Sequence, residues 1–314
     1  MKTVSVLLPC YNEVDNVGPI SEAIIKQFTE SLPEYDYEII FIDNFSTDGT
    51  RQVIEHLCKH NSKIKAIFNA KNFGQFNSPF YGLCQTTGDC TIVMCSDFQD
   101  PVSLIPQFIH EWEKGYKIVS AIKTSSDESS IMYFLRSCYY KLIKKMSDVE
   151  MIEHFTGTGL YDKSFLDILR KLDDPLPFLR GIVAELGPNR KDIEYRQAER
   201  RSGLSSNNWY TLYDAAMLSF TSYTKSGLRI ATFLGFFLAI VSLIVAFVVF
   251  IAKLLWWSAF PMGTAPIMIG MFFLGAIQMI FIGLLGEYIL NINARVMNRP
   301  LVVEEKRINF DSNI

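Results

Sequence analysis

Two long uncharged segments near the C-terminal end dominate the pattern of hydrophobic and polar residues. They comprise residues 230–252 and 264–286, and neither contains an acidic or basic side chain. An α-helix rises 1.5 Å per residue, so each segment would be about 35 Å long and would cross a hydrocarbon core of roughly 30 Å with some tilt. The pattern therefore predicts a transmembrane hairpin of two helices within residues 229–290.

Basic residues flank this hairpin unevenly. Lys225 and Arg229 precede it, Arg295 and Arg299 follow it, and Lys253 lies alone in the connection. Because cytosolic flanks are enriched in Lys and Arg, we predict a multi-pass protein of the cytoplasmic membrane with both termini in the cytosol. Residues 209–228 are predicted to form an amphipathic helix at the membrane interface, and residues 291–314 a cytosolic C-terminal tail.

Short β-rich runs alternate with helical patterns through the first 125 residues. Strands are predicted at 4–9, 37–43, 65–69, 91–96 and 117–122, and helices near 16–30, 49–60, 75–86 and 101–114. This alternation is typical of an α/β domain with a mostly parallel sheet and helices on both faces, here assigned to residues 1–208. Ligands of such sheets bind outside the carboxyl ends of the strands.

Polar residues follow three of the predicted strands at that edge. The first strand ends in "PCYNE", the second in "DNFSTDGT" and the fourth in "SDFQDP". Single residues such as Asn12 and Asp48 have an alternative interpretation as turn or cap residues. Three polar clusters at one edge are harder to explain by stability alone, because buried carboxylates are costly unless they are neutralised. The pattern predicts a ligand site.

Charge and cysteine content narrow the class of protein. The net charge of −3 gives no sign of the basic surface of a nucleic-acid-binding protein, so no nucleic-acid partner is expected. No CxxC pair is present, which predicts buried thiols in a reducing cytosol rather than disulfides or a zinc site. The six cysteines are Cys10, Cys58, Cys84, Cys90, Cys95 and Cys138.

An ordered set of motifs resembles the GT-A glycosyltransferases of family 2, and more narrowly the polyprenyl-phosphate glycosyltransferases. The motifs are "LLPCYNE", "FIDNFSTDGT", "KNFGQ", "SDFQDP", "FLGAIQMIFIGLLGEYI" and "NRPLVV". This group includes dolichyl-phosphate mannose synthases and bactoprenol glucosyltransferases. The resemblance implies a Rossmann-like GT-A fold and inverting, metal-dependent transfer of a sugar from a UDP- or GDP-linked donor. It further implies an undecaprenyl-phosphate-like acceptor, a product used to modify cell-envelope glycans, Mg²⁺ or Mn²⁺ as cofactor, and a homo-oligomer, a tetramer in this family.

The resemblance also assigns roles to individual positions. Asp97 and Arg200 would be catalytic, and Asp97 and Gln99 would hold the divalent cation on the diphosphate. The nucleotide would contact Pro9, Tyr11, Glu13, Asp43, Ser46, Lys71, Asn72 and Asp97. The acceptor phosphate would contact Arg200, Arg201, Lys123 and Arg136. Such cations take oxygen ligands and keep several waters, so one or two protein oxygens suffice. For Arg200, a solvated charged loop is the alternative interpretation.

The sequence departs from the family pattern at several of these motifs. Cys95 replaces a carboxylate, and a thiol is a poor ligand for Mg²⁺, so Cys95 is expected to pack against the strand or merely line the site. Asp100 has two interpretations, as a further metal ligand or as the cap of a helix beginning at Pro101. Further departures are Asn44-Phe45 in place of Asp-Gly, Gly157 in place of an acid, and Ser206 in place of a lysine.

Two other functions compete with this interpretation. The departures suggest a catalytically weak or silent membrane scaffold of the same fold. A processive polysaccharide synthase is disfavoured, because Arg201 replaces the tryptophan of the QxxRW motif and two spans cannot form a polymer channel. A lipid phosphate is already largely ionised at neutral pH, so the missing acid at Gly157 is compatible with catalysis.

Overall fold

The computed structural model describes most of residues 1–198, the last helix and the strand that follows it. The described residues are 1–125, 149, 151–172, 174–187, 189–198, 209–224, 232–238 and 264–310, with scattered positions between 240 and 255. All structural statements below refer to these residues.

Strands and helices alternate as the hydropathy pattern indicates. The strands are β1 (Lys2–Cys10), β2 (Tyr35–Asp43), β3 (Ile64–Asn69), β4 (Cys90–Val93), β5 (Ile118–Ser125), β6 (Phe155–Asp162), β7 (Arg190–Arg196) and β8 (Glu304–Ile308). The helices are α1 (Val17–Ser31), α2 (Thr50–His60), α3 (Gly74–Cys84), α4 (Leu104–Glu113), α5 (Lys163–Lys171), α6 (Leu179–Leu186), α7 (Trp209–Tyr223) and α8 (Thr264–Met297).

The strands form one mixed sheet in the order β7-β5-β6-β4-β1-β2-β3-β8. The four strands from β4 to β3 run parallel, with Cys10 opposite Asp43 and Leu7 opposite Val93. β6 and β8 run antiparallel to their neighbours, whereas β7 pairs parallel with β5. The predicted parallel core is confirmed, and the register places the carboxyl ends of β1, β2 and β4 at one edge.

Alternate residues of the central strands fill two cores on opposite faces of the sheet. In β1, Val6 and Leu8 pack with α1, α2 and α4, while Leu7 packs with α3, α5 and α6. In β2, Phe41 faces the first core and Ile42 the second. Because successive side chains of a strand point to opposite faces, near-continuous apolar runs arise when both faces are covered by helices. The prediction of helices on both faces is thus confirmed.

Close packing between β5 and β6 depends on one glycine. A Cβ atom on Gly159 would lie 2.3 Å from the carbonyl oxygen of Val119 in β5. No side chain fits at that distance, so glycine is required where these two strands meet. Both strands belong to the second half of the sheet, β5 to β7, which the pairing of β6 with β4 joins to the parallel half.

Three differences from the sequence-based expectations concern strands. β4 ends at Val93, so the predicted strand at 91–96 is too long and its last residues belong to a loop. β6 and β7 were not predicted, because their glycines and charged residues weaken the β pattern. β8 was also missed: the region described as a tail contributes an edge strand that pairs with β3.

The C-terminal strand is held to α2 by ion pairs. Arg51 bonds to Glu305 at 2.8 Å and Lys306 bonds to Glu55 at 2.9 Å. Asn309 donates to the carbonyl oxygen of Ile64 at 2.8 Å. The chain that follows α8 is therefore an integral part of the sheet.

Among the described residues, one helical stretch, Phe273–Met297 of α8, is long and apolar enough to cross a membrane. Ten of the 23 residues of the first predicted span, 230–252, lie outside them, so the two-helix hairpin stays a prediction. The described side chains there are exposed, including Phe233, Phe236 and Phe247 at 75%, 69% and 66%. α7 packs against the C-terminal part of α8, where Tyr288 donates to the Thr224 carbonyl oxygen at 2.6 Å.

Candidate functional site

The loops that follow β1, β2 and β4 meet at the carboxyl edge of the sheet. The Asn44 backbone N–H donates to the Cys10 carbonyl oxygen at 3.0 Å, and the Ser96 hydroxyl donates to the Pro9 carbonyl oxygen at 2.8 Å. The parallel register brings these loops together, so the three polar clusters of the sequence form one site.

Side chains join the first two loops directly. The Asn12 N–H donates to Ser46 Oγ at 2.8 Å, and the Asn12 side-chain oxygen accepts from the Thr47 N–H at 2.9 Å. Asn12 adopts a left-handed conformation with φ 58°, which asparagine tolerates better than most residues. Tyr11, next to this junction, is 39% exposed and available to a ligand.

Glu13 and Asp48 complete the junction between these loops. The Glu13 N–H donates to Thr50 Oγ1 at 2.8 Å, and the buried Glu13 carboxylate accepts from Asn16 Nδ2 at 2.6 Å. Burial raises the pKa of Asp48, but hydrogen bonds from Thr50 and Val14 outweigh it, so the net pKa is below its ordinary value. Asp48 therefore takes the turn role that the sequence analysis held open, and the N-cap residue of α2 is Gly49.

Asp43 is fully buried and orders the loop around it. Its carboxylate accepts from the Ser46 N–H at 3.1 Å and from Arg51 Nε at 2.7 Å. Arg51 also donates to the Asn69 carbonyl oxygen at 2.6 Å. These bonds hold the Ser46 loop and α2 against the end of β3. The expected contact of Asp43 with the nucleotide stays a prediction.

Asn44 links the end of β2 to the segment Lys71–Gly74. Its side-chain nitrogen donates to Asn72 Oδ1 at 2.9 Å and to the Gly74 carbonyl oxygen at 3.2 Å. Its oxygen accepts from the Phe73 N–H at 2.9 Å and from Asn69 Nδ2 at 3.2 Å. The Asn44 amide thus uses both its donor and its acceptor groups. An aspartate at this position could not donate these hydrogen bonds, because an ionised carboxylate only accepts. Lys71 and Asn72 are exposed at this edge.

The loop after β4 carries Asp97 in a buried position. The Asp97 residue is 3% exposed, and its Oδ1 accepts from the Gln99 N–H at 3.1 Å. Phe98 between them has φ 62°, so this loop turns through a left-handed residue. Gln99 is partly buried, and its carbonyl oxygen accepts from the Ala198 N–H at 3.1 Å, beyond the end of β7.

Asp100 is a buried junction between this loop and the second half of the sheet. Its carboxylate accepts from the Cys95 N–H at 3.0 Å, from the Thr158 hydroxyl at 2.8 Å and from the Tyr195 hydroxyl at 2.6 Å. Burial, followed by the charge of Asp100, raises the pKa of Tyr195 well above its usual value. Three protein donors occupy this carboxylate, which argues against a role as metal ligand.

The alternative interpretation of Asp100 as a helix cap is wrong. α4 begins at Leu104, its N-cap residue is Ser103, and Pro101 lies three positions before the helix. Of the two expectations for Cys95, packing against the strand is wrong, because Cys95 is exposed whereas Cys10, Cys58 and Cys90 are buried. Its exposure agrees with the other expectation, that it merely lines the site. Cys84 is partly buried and Cys138 lies outside the described residues.

The chemistry of the donor set suits a divalent cation that is shared with a ligand. No group of three His, Cys, Asp or Glu side chains that could hold a metal occurs in the described part of the chain. Asp97 supplies one carboxylate, Gln99 a neutral amide and Cys95 a thiol that hard cations disfavour. Such a set fits Mg²⁺ or Mn²⁺ when a diphosphate and water supply the remaining oxygens.

The field at this edge is negative, which also suits a cation. Burial raises the pKa of the Cys10 thiol most, and the charges of Asp43, Glu13 and Asp48 raise it further. Burial lowers the pKa of Arg51, but hydrogen bonds to Asp43 and Glu305 raise it more, so its net pKa is above the ordinary value.

The predicted acceptor residues are only partly described. Lys123 lies in β5, where its N–H donates to the His154 carbonyl oxygen at 3.3 Å. Gly157 lies in β6 with φ 101°, a left-handed conformation that suits glycine. Arg136, Arg200, Arg201 and Ser206 lie outside the described residues, so their roles stay predictions.

Sequence reasoning missed the residues that hold the loops in place. Arg51 lies in a charged helix, and Thr158 and Tyr195 lie in strands that were not predicted. The signal for Arg51 was available, because arginine one turn after an aspartate-rich loop is suited to bidentate contacts. No local signal marks Thr158 or Tyr195, since their partner is 58 or 95 residues away.

Comparisons with known proteins agree with this architecture. Residues 5–169 match the model of Glycosyl transferase family 2. CsbB of Bacillus subtilis is 32% identical over 95% of this chain and 89% of that protein. The SfII prophage-derived bactoprenol glucosyl transferase of Shigella flexneri is 30% identical over 96% of this chain and 97% of its own length.

One solved structure is similar at lower sequence identity. Glucosyl-3-phosphoglycerate synthase from Mycobacterium tuberculosis, in complex with Mn²⁺, UDP-glucose and phosphoglyceric acid, superposes with a TM-score of 0.48. It is 15% identical over 70% of this chain and 79% of that chain. The matched domain includes every predicted nucleotide residue and the loop of Asp97, and the similarity of the two relatives continues through the C-terminal helix. The chain belongs to glycosyl transferase family 2 and is a glycosyltransferase.

Proposed function

We propose that this glycosyltransferase transfers a hexose from a nucleotide sugar to a polyprenyl phosphate in the cytoplasmic membrane. The observation that carries this proposal is similarity over nearly the whole chain, including the membrane segment, to a relative named bactoprenol glucosyl transferase. UDP-glucose is accordingly the first donor to test. The product would be a polyprenyl-phosphate sugar for modification of cell-envelope glycans.

The donor would lie at the carboxyl edge of the sheet. Tyr11 and Ser46 would flank the nucleoside, and Lys71 and Asn72 are exposed beside it. Asp97 and Gln99 would hold Mg²⁺ or Mn²⁺ on the diphosphate. When bound, the cation supplies Lewis-acid neutralisation of the departing diphosphate. Asp43 would act through Arg51 and the Ser46 N–H by keeping the nucleotide loop in place.

The acceptor chemistry requires little proton transfer. An oxygen of the lipid phosphate, already ionised at neutral pH, attacks the anomeric carbon. The bond from that carbon to the diphosphate oxygen breaks, the nucleoside diphosphate leaves, and the anomeric configuration is inverted. Rate enhancement then rests on positioning and electrostatic stabilisation. Arg200, with Arg201, Lys123 and Arg136, is proposed to bind the acceptor phosphate.

Two features of the fold support a membrane-bound enzyme. The apolar side chains of α8 are largely exposed, for example Ile267 at 71% and Met279 at 71%, which is typical of a lipid-facing helix. The strand β8 follows α8 and lies in the same sheet as the nucleotide residues. The C-terminal end of α8 would therefore lie on the catalytic, cytosolic side of the bilayer.

The test is lipid glycosylation by the full chain in nanodiscs. The protein is incubated with undecaprenyl phosphate, Mg²⁺ or Mn²⁺, and in separate reactions UDP-glucose, other UDP-sugars and GDP-mannose. Mass analysis of the extracted lipid should show one added hexose, and a chelator should abolish the product until metal is restored. A chain that binds no nucleotide sugar would be a silent scaffold, and added oligosaccharide would indicate a processive synthase.

Two variants test the assignment of the cation site. Asp97→Ala should abolish the product, because it removes the carboxylate of the proposed cation site. Cys95→Ala is the matched control in the same loop and should retain substantial activity, because a thiol contributes little to a hard cation. Equal loss in both variants would refute the ligand assignment.

A further inference from the structure

Two aromatic rings are exposed at the site edge, although the other Phe, Tyr and Trp residues among residues 1–124 are buried or partly buried. Among residues 1–124, the exposed large hydrophobic side chains are Met1 at the chain start, Tyr11 and Phe45. Tyr11 and Phe45 are 39% and 41% exposed, respectively. They follow the ends of β1 and β2, the two strands that pair in parallel.

Phe45 also has an unfavourable backbone conformation. Its φ is 71°, in the left-handed region that glycine and asparagine adopt most readily. For a bulky aromatic residue this conformation costs energy, and its ring gains little from burial. Non-glycine residues in such conformations concentrate at ligand sites, where the surrounding structure holds them.

The surrounding contacts fix Phe45 between two parts of the site. The preceding residue, Asn44, is bonded to Asn72 and to the Phe73 N–H. The following residue, Ser46, accepts from the Asn12 N–H, adjacent to Tyr11. The guanidinium of Arg51 lies 5.3 Å from the centre of the Phe45 ring. The backbone of Phe45 therefore lies between the loop of Tyr11 and the exposed segment Lys71–Gly74, and its ring lies beside Arg51.

We propose that Phe45 is a nucleobase-binding residue that acts together with Tyr11. This inference rests on the proposed function, because it presupposes a nucleotide sugar and assigns its base to Phe45. In the family pattern, Asp-Gly is commoner at the position of Asn44-Phe45. A flat heterocyclic base stacks favourably on an aromatic face. The left-handed backbone conformation of Phe45 is energetically unfavourable, and it presents the ring to the ligand.

A purely structural role predicts a different outcome. If the ring served chiefly to cover Arg51, its removal would lower the thermal stability of the protein. If it serves the base, Phe45→Gly removes the ligand contact and also relieves the left-handed conformation. Phe45→Gly should then weaken nucleotide binding without lowering the thermal stability of the protein.

The experiment measures binding and thermal unfolding of the full chain in detergent or nanodiscs. Titration calorimetry with UDP, GDP and inorganic pyrophosphate, each with Mg²⁺, compares wild type with three variants. Phe45→Gly should weaken binding of the preferred nucleotide about tenfold, in the range known for loss of one base-stacking contact. Its unfolding temperature should be unchanged or higher.

The other two variants separate aromaticity from size. Phe45→Leu keeps an apolar side chain of similar bulk and should weaken nucleotide binding to a similar extent. Phe45→Tyr keeps the aromatic face and should bind within about threefold of wild type. Pyrophosphate lacks a base, so its affinity should be the same in all four proteins.

Phe98→Gly provides a contrast in stability. Phe98 is also left-handed, with φ 62°, but its ring packs against the core, so this variant should unfold at a lower temperature. Nucleotide affinity that is unchanged in Phe45→Gly, or pyrophosphate affinity that falls equally, would overturn the inference while leaving the proposed function intact. Wild-type protein that binds neither nucleotide would overturn both.

Discussion

Tyr195→Phe tests whether the buried Asp100 junction holds the two halves of the site together. The Tyr195 hydroxyl donates to Asp100 at 2.6 Å, and Tyr195 is 6% exposed. The substitution removes only the hydroxyl and leaves Asp100 with its bonds from Cys95 and Thr158. A hydrogen bond to a charged group contributes about 1.5–3 kcal/mol, so we expect a loss of about 2 kcal/mol.

The assay is thermal unfolding of the purified protein in one detergent. For a domain of this size, about 2 kcal/mol corresponds to a fall of roughly 4–8 °C in Tm. Tyr213→Phe is the matched control, because Tyr213 also donates to a carboxylate, Glu287, but is 52% exposed. An exposed bond exchanges with water at little cost, so the control should change Tm by less than about 2 °C.

The energetic coupling between Thr158 and Tyr195, measured with a double variant, gives a second test of the Asp100 junction. Thr158→Val should also destabilise, and the double variant with Tyr195→Phe should deviate from additivity, because both residues bond to one carboxylate. If Tyr195→Phe and Tyr213→Phe shift Tm equally, or if the double variant is strictly additive, Asp100 does not act as a shared junction.

Three further predictions concern other parts of the domain. Burial raises the pKa of Glu38, but hydrogen bonds from Lys65, Ser5 and Thr87 lower it more, so the net pKa is below its ordinary 4.5. The ionised Glu38 carboxylate therefore stabilises the folded state above pH 4.5, and this stabilisation is lost as pH falls through the lowered pKa of the folded state. The Tm difference between wild type and Glu38→Gln should narrow below about pH 4.5, and a difference that stays constant with pH would contradict this prediction. N-ethylmaleimide followed by peptide mass spectrometry should label exposed Cys95 before the buried cysteines, and UDP with Mg²⁺ should slow that labelling; uniform labelling would count against this edge as the site. Asn44→Asp removes two donated hydrogen bonds and places a charge against two oxygens, so a loss of about 2–4 kcal/mol is expected by thermal unfolding, together with weaker nucleotide binding; wild-type behaviour would refute the amide network.

The parallel core and the position of the site were readable from the chain alone. Alternating apolar runs and helical patterns predicted the first five strands and first four helices to within three residues at every end, since burial on both faces leaves a strong local signal. Polar residues directly after β1, β2 and β4 predicted the site, because parallel strands deliver their carboxyl ends to a common edge.

The contacts that organise the site required the tertiary structure. Asp100 could be a metal ligand by its sequence, yet Thr158 and Tyr195 donate to its carboxylate. These partners lie 58 and 95 residues away in the chain, and no local pattern encodes which distant donor a carboxylate will meet. The same holds for β8, a short charged strand whose pairing depends on the exposed edge of β3.

Local periodicity thus determined the strands, the helices and the edge at which they converge, because each reflects the alternation of apolar and polar residues along the chain. The tertiary structure alone decided which of the converging carboxylates are neutralised by protein donors. That decision depends on the cost of burying an unpaired charge, which is set by three-dimensional neighbours rather than by residues adjacent in sequence.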